Sequence, residues 1–242
     1  MWGVIPAAGR GSRMEEHHVD GCKELIEIAD RSLLLRTVDE LVAAGVTGIV
    51  VVTSPEKPAL AEALADFDIA DLEFVEQSEP RGIVDALRKA REVAGDVMLV
   101  ASPDNLFIGH PCPSDELLAA HRLTGKTVIG AVQVKSPWGE LLSDTGRIDA
   151  LNPGASGELL ITGICEKQKD RPFPMDGENW RCTGRMLLTS RFWEEPDGDD
   201  VQMLDSLAAE GELVAAPTAA ADIDIGLPEG PADANCWANR GH

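Results

Sequence analysis

The sequence predicts an α/β protein, a single three-layer α/β/α domain over residues 1–242 wound in Rossmann-like fashion around a mixed, mostly parallel sheet. Three observations carry that expectation. Short apolar runs such as Gly48–Thr53 and Val97–Ala101 are continuous and rich in β-branched residues, as strands covered on both faces are. Segments with apolar residues at helical spacing separate them, and that alternation is the grammar of β-α-β units. The first apolar run, Val4-Ile5, opens into a loop of small residues, at the carboxyl end of a strand where open α/β sheets bind ligands. The length suffices for one such domain with a substantial core.

Taken in order, the loop Ala7-Ala8-Gly9-Arg10-Gly11-Ser12-Arg13-Met14 is suited to an anion. Glycines 9 and 11 allow close backbone approach and expose N–H groups, while Arg10 and Arg13 add positive charge. A Walker loop requires lysine where Ser12 stands, and the dinucleotide fingerprint requires glycine where Met14 stands, so neither pattern applies. Past a polar stretch, Cys22–Ile28 sets Lys23 among apolar neighbours. Leu34, Val38, Leu41 and Val42 mark a helix that Gly45 closes. Gly48–Thr53 is a buried strand, Leu60 and Leu64 mark a second helix, and Leu72–Glu76 is a short strand. Gln77–Gly82 is a turn opening a helix with Ile83, Leu87, Ala90 and Ala94 on one face.

The strand Val97–Ala101 delivers Asp104. A carboxylate there has no packing reason, whereas a hard cation such as magnesium supplies one. Thr127–Val134 is a further strand, followed by Trp138-Gly139, and Asp144–Ile148 is a hairpin turn by composition. Leu160–Lys167, Trp180–Leu188 and Glu212–Pro217 read as later strands. A short helix starts at Ser190, and Val201, Leu204, Leu207 and Ala208 form an amphipathic one.

Composition bounds the function. A formal charge of −21, from 42 acidic and 21 basic residues, argues against a nucleic-acid surface, since duplex phosphates demand positive contact. No apolar run approaches the roughly 20 residues of a membrane span, and no signal segment opens the chain, so a cytoplasmic protein without membrane partners is expected. Five cysteines without a Cys-x-x-Cys pair suggest neither a zinc site nor a disulfide framework. His17 and His18 are adjacent and point apart in regular structure, which disfavours a shared metal.

The motif Ala7 to Met14 matches the first loop, A-A-G-x-G-[TS]-R-[ML], of the sugar-1-phosphate nucleotidyltransferases, which include the glucose-1-phosphate thymidylyltransferases. The resemblance extends over residues 3 to 230. Cys22-Lys23-Glu24-Leu25 resembles the family's P-K-[EQ]-L, with cysteine in place of proline. Gln77 to Ala86 is similar to its Q-x-x-P-x-G turn, Ser102 to Phe107 to its G-D-N strand end, and Glu166-Lys167 to its E-K-P strand, with Gln168 for proline. Thr183-Gly184 matches a small-residue pair lining the sugar pocket, and Asp222 to Glu229 the closing [WF]-x-D-[IVT]-G-[TL]-P-E element, with Asp222 at its aromatic position. The hexapeptide β-helix that some relatives carry after this domain is not expected.

This resemblance implies the nucleotidyltransferase A-type fold and a magnesium-dependent transfer that joins a nucleoside triphosphate, UTP or dTTP by default, to a sugar 1-phosphate. Pyrophosphate leaves and an NDP-sugar forms. Ala7, Ala8, Gly9, Gly11, Ser12, Gln77 and Gly82 would bind the nucleotide, and Arg13 the triphosphate with the leaving pyrophosphate. Lys23 would meet charge on the α-phosphate and Lys167 the attacking sugar phosphate. Gly139, Glu166, Thr183 and Gly184 would contact the sugar, and Asp104 with Asp224 would hold Mg2+. Two alternatives share the fold: a cytidylyltransferase acting on a polyol, cyclitol or other non-sugar phosphate, and an inactive nucleotide- or sugar-binding homologue. Homo-oligomerisation is left open.

Overall fold

The computed structural model describes residues 1–11, 17–67, 71–108, 112–134, 146–148, 151–155, 158–165, 179–195, 198–218 and 220–225. The chain divides into two compact units, residues 1–109 with 221–242, and residues 110–220. The predicted α/β class is observed, with parallel strands in the first unit and a mixed sheet in the second.

In the first unit, β1 (Trp2–Pro6) leads through the glycine loop and a short 3-10 turn (Lys23–Leu25) to the small hairpin β2 (Glu27–Ile28) and β3 (Arg31–Ser32). Helix α1 (Leu33–Ala43) follows, its first turn capped by the Ser32 hydroxyl, which accepts from the Leu35 N–H. Next come β4 (Gly48–Thr53), α2 (Ala59–Ala63), β5 (Leu72–Glu76), α3 (Ile83–Ala94), β6 (Met98–Ala101) and β7 (Asn105–Ile108). Strands pair in the order β6-β1-β4-β5, all parallel. Val4, Ile5, Ile49 to Val52 and Met98 to Ala101 are wholly buried, which is why these strands read as continuous apolar runs.

The second unit contains α4 (Pro113–Thr124), β8 (Thr127–Val134), β9 (Arg147–Ile148), β10 (Leu151–Pro153), β11 (Leu159–Ile161), β12 (Ile164–Cys165), β13 (Asn179–Leu188), α5 (Asp200–Ala209) and β14 (Leu213–Pro217). Its order is β10-β11-β14-β8-β13, with β14 parallel to β8 and the other neighbours antiparallel. Helix α4 is not legible in the apolar spacing because only Pro113, Ser114 and Leu117 are buried along it. A proline opening its first turn and Gly125 in the left-handed region at its end delimit it instead.

The last described strand, β15 (Ala221–Asp224), belongs to the first unit and pairs antiparallel with β7. Leu106 of β7 and Ile225 after β15 pack with Ile26, Ile28 and Leu33 into one apolar cluster. That cluster fixes the far end of the chain to the segment following the glycine loop.

Candidate active site

The glycine loop leaves β1 with the Ala7 N–H donating to Val52 O at 2.8 Å, so the two strands run side by side to the point where the loop turns away. Gly11 sits at φ +63, and a Cβ there would stand 3.0 Å from both His18 Nε2 and Lys23 Cδ. Only glycine meets both demands. The His18 ring donates through Nε2 to the Gly11 carbonyl at 3.2 Å, closing the loop from outside.

A residue that sequence reasoning missed holds this loop from beneath. Lys57 follows β4 and is 4% exposed. Its Nζ donates to Ala7 O at 2.8 Å, to Gly9 O at 2.6 Å, and to both carboxylate oxygens of Glu24 at 2.9 and 2.8 Å. Glu24 is 1% exposed. Removing one member of such a buried pair leaves an uncompensated charge, at a cost of about 3–5 kcal/mol. The available signal was position: Lys57 is one of only seven lysines, placed just past the carboxyl end of the strand beside β1.

Beside Glu24, Lys23 Nζ donates to Asp104 Oδ2 at 2.6 Å, in a pair whose side chains are 18% and 27% exposed. Asp104 lies in the turn between β6 and β7, and its carbonyl accepts the Ile225 N–H at 2.8 Å. Asp224 is in register with Asn105. The backbone thus brings position 104, just ahead of β7, beside the end of β15 that carries position 224, with Lys23 on the first carboxylate.

Among the described residues no cluster of three or more His, Cys, Asp or Glu side chains could enclose a metal. Magnesium does not need one, since it uses one or two carboxylates and completes its shell with water and phosphate oxygens. A partly exposed carboxylate already facing a cation fits that requirement.

The Gln77 side chain is buried at 4% exposure, and its Nε2 donates to Gly82 O at 3.1 Å and Asp85 Oδ2 at 2.7 Å. Both partners are acceptors, which settles which end of the amide faces them. Gln77 therefore has its donors engaged and its carbonyl oxygen unbonded among the described residues. Ser78, Glu79, Arg81, Asp85 and Lys89 line an open pocket of about 280 Å³ on the same turn.

In the second unit Thr183 and Gly184 lie within β13. Thr183 is buried, and its hydroxyl stands over Gly130 of β8, where a Cβ would come within 2.2 Å of it. Ser12, Arg13, Gly139, Glu166 and Lys167 lie outside the described residues, as does the side chain of Asp224.

The profile of the MobA-like NTP transferase domain matches residues 3–158, a span that includes the glycine loop, Lys23, Lys57, Gln77 and Asp104. This chain belongs to the MobA-like NTP transferase family. Its relatives there are sugar-1-phosphate nucleotidyltransferases. It is 25% identical over 236 residues to a UTP–glucose-1-phosphate uridylyltransferase of Staphylococcus epidermidis, covering 84% of this chain and 79% of that one. With the glucose-1-phosphate thymidylyltransferase of Mycolicibacterium smegmatis it shares 32% identity over 114 residues, which is 45% of this chain and 39% of the relative.

Among solved structures, a UDP-glucose pyrophosphorylase complexed with UDP-glucose aligns with a TM-score of 0.83 at 20% identity, covering 100% of this chain and 99% of that one. The UTP-bound UGPase from Acinetobacter baumannii aligns at 0.79 and 21% identity, covering 100% of this chain and 94% of the other. These likenesses establish that the family member described here has their α/β fold.

Proposed function

We propose that this chain is a magnesium-dependent nucleotidyltransferase that joins a nucleoside triphosphate to a sugar 1-phosphate, releases pyrophosphate and forms an NDP-sugar. UTP and dTTP are the first triphosphates to consider, because relatives named for uridylyl and thymidylyl transfer to glucose 1-phosphate match the chain. The observation that carries this reading is the Lys23–Asp104 pair at 2.6 Å, set between the glycine loop and the paired strands β7 and β15.

The chemistry is an in-line displacement. An oxygen of the sugar phosphate attacks the α-phosphorus, and pyrophosphate departs from the opposite side. The attacking phosphate is already ionised, so no side chain need act as a covalent nucleophile, and catalysis reduces to positioning and charge neutralisation. In our assignment the loop of Ala7, Ala8, Gly9, Gly11 and Ser12 seats the triphosphate, and Arg13 holds the departing pyrophosphate. Lys23 meets charge on the α-phosphate, while Lys167 orients the sugar phosphate. Gln77 presents an acceptor to the base at the Gly82 turn, and Gly139, Glu166, Thr183 and Gly184 shape the sugar site. Asp104 and Asp224 would hold Mg2+, which when bound neutralises phosphate charge.

On this proposal residues 1–242 are one nucleotidyltransferase domain. No helix among the described residues is long and apolar enough to cross a membrane. None of the four described cysteines is in a disulfide, which suits the reducing, cytoplasmic setting proposed.

The test is a pyrophosphate-release screen of ATP, CTP, GTP, UTP and dTTP against a set of sugar 1-phosphates, with and without magnesium. Turnover of UTP or dTTP with a hexose 1-phosphate is the expected result. Turnover only with CTP and a polyol phosphate would move the assignment to the cytidylyltransferases. Triphosphate binding without product would mark a sensor.

A further inference from the structure

We infer that Lys57, held by Glu24, is a positioning residue that aims two backbone N–H groups of the glycine loop at the bound polyphosphate. The inference rests on the reading of that loop as a phosphate site. Its basis is peptide geometry. In a trans peptide the C=O and the following N–H point in opposite directions. The Ala7 and Gly9 carbonyls converge on Lys57 Nζ at 2.8 and 2.6 Å. The N–H groups of Ala8 and Arg10, which share those two peptide planes, therefore face away from Lys57. Among the described residues neither donates a backbone hydrogen bond.

Charge alone does not account for the arrangement. Lys57 is nearly inaccessible, and both Glu24 carboxylate oxygens lie within 2.9 Å of its ammonium, so the pair offers little net charge to a ligand. What it provides is direction. Without the ammonium, the carbonyls of residues 7 and 9 lose their common donor, and a peptide flip would turn oxygen rather than N–H toward the phosphates. Glu24 also adjoins Lys23 in the same short turn. One buried contact thus sets both the loop and the lysine assigned to the α-phosphate.

A purely structural role makes a different prediction from a positioning one. Breaking one half of a buried pair destabilises a fold, whereas replacing both halves by apolar residues of similar volume is often neutral. The single variant Lys57→Met is therefore expected to melt well below wild type, and the double variant Lys57→Met/Glu24→Leu to recover most of that loss. If the pair aims the loop, the recovered double variant still binds magnesium-UTP and inorganic tripolyphosphate about 10²-fold more weakly and falls by a similar factor in kcat/KM, the scale for losing preorganised N–H donors.

Amide NMR of the wild-type protein needs no substitution. Titration with tripolyphosphate should shift the Ala8 and Arg10 amide protons downfield more than their neighbours. A double variant that binds with wild-type affinity, or wild-type binding that leaves those two amides unmoved, overturns the aiming role while leaving the phosphate site standing. Failure of the wild type to bind either probe removes both readings.

Discussion

At Asp104 a carboxylate accepts from Lys23 and the neighbouring backbone accepts from residue 225, so one position joins three parts of the chain. Asp104→Asn keeps the shape and removes the charge. The pair is part-exposed, so the folded state should lose no more than about 1 kcal/mol. Turnover, in contrast, is expected to fall about 10²- to 10³-fold. Undiminished pyrophosphate release from that variant would end the assignment of Asp104. Cys22 supports a second residue-scale prediction. Burial pushes its thiol above the ordinary value of 9.0, with Lys57 opposing and Glu24 and Asp20 adding to the rise. The unfolded thiol then ionises first, so the unfolded state binds fewer protons than the folded one in that range. Stability contributed by the neutral thiol is intact below about pH 9 and declines as pH climbs toward the folded value. Urea unfolding between pH 8 and about pH 10.5 should show that decline in wild type and a shallower one in Cys22→Ala.

Individual elements were legible to the extent that one physical signal dominated them. Strands β4, β5 and β8 match their expected limits because a continuous apolar run has an unmistakable end where polar turn residues begin. Helix α4 carries too thin a buried stripe to register, and β7 with β15 could not be paired from sequence, since pairing partners leave no local mark. Lys57 escaped for a related reason: the carbonyls it binds are backbone atoms, and backbone writes nothing into side-chain identity. Packing between neighbouring strands carries its own prediction. Gly48 opens β4 opposite Trp2 of β1, and a Cβ there would stand 2.6 Å from the indole ring. Gly48→Ala should therefore destabilise the protein by about 1–3 kcal/mol, read as a lower urea midpoint at unchanged m-value. A midpoint equal to wild type would mean that Trp2 swings aside freely.

On the scale of the whole molecule, a charge of −21 surrounds a site proposed for polyanionic substrates. Long-range repulsion should slow their approach at low ionic strength and fade as the Debye length shortens from about 30 Å at 0.01 M to about 8 Å at 0.15 M. We expect kcat/KM for the triphosphate to rise over that interval of monovalent salt. A fall would show that the cations of the proposed site, rather than the acidic exterior, govern capture. The sequence disclosed the class of this fold and the motif order around its first loop, and the family resemblance implied that positions 23, 104 and 224 serve one site, whereas the strand pairing that sets 224 beside 105 and the apolar cluster behind it left no local mark in the sequence. That pairing has a bearing on biosynthesis. β15 joins a unit whose other strands precede the entire 110–220 stretch, so a ribosome has already translated the second unit before it reaches the strand that completes the first. A nascent chain arrested ahead of codon 221 would hold a glycine loop and Lys23 but lack the partner of β7, and on our assignment such a fragment could not act on a triphosphate.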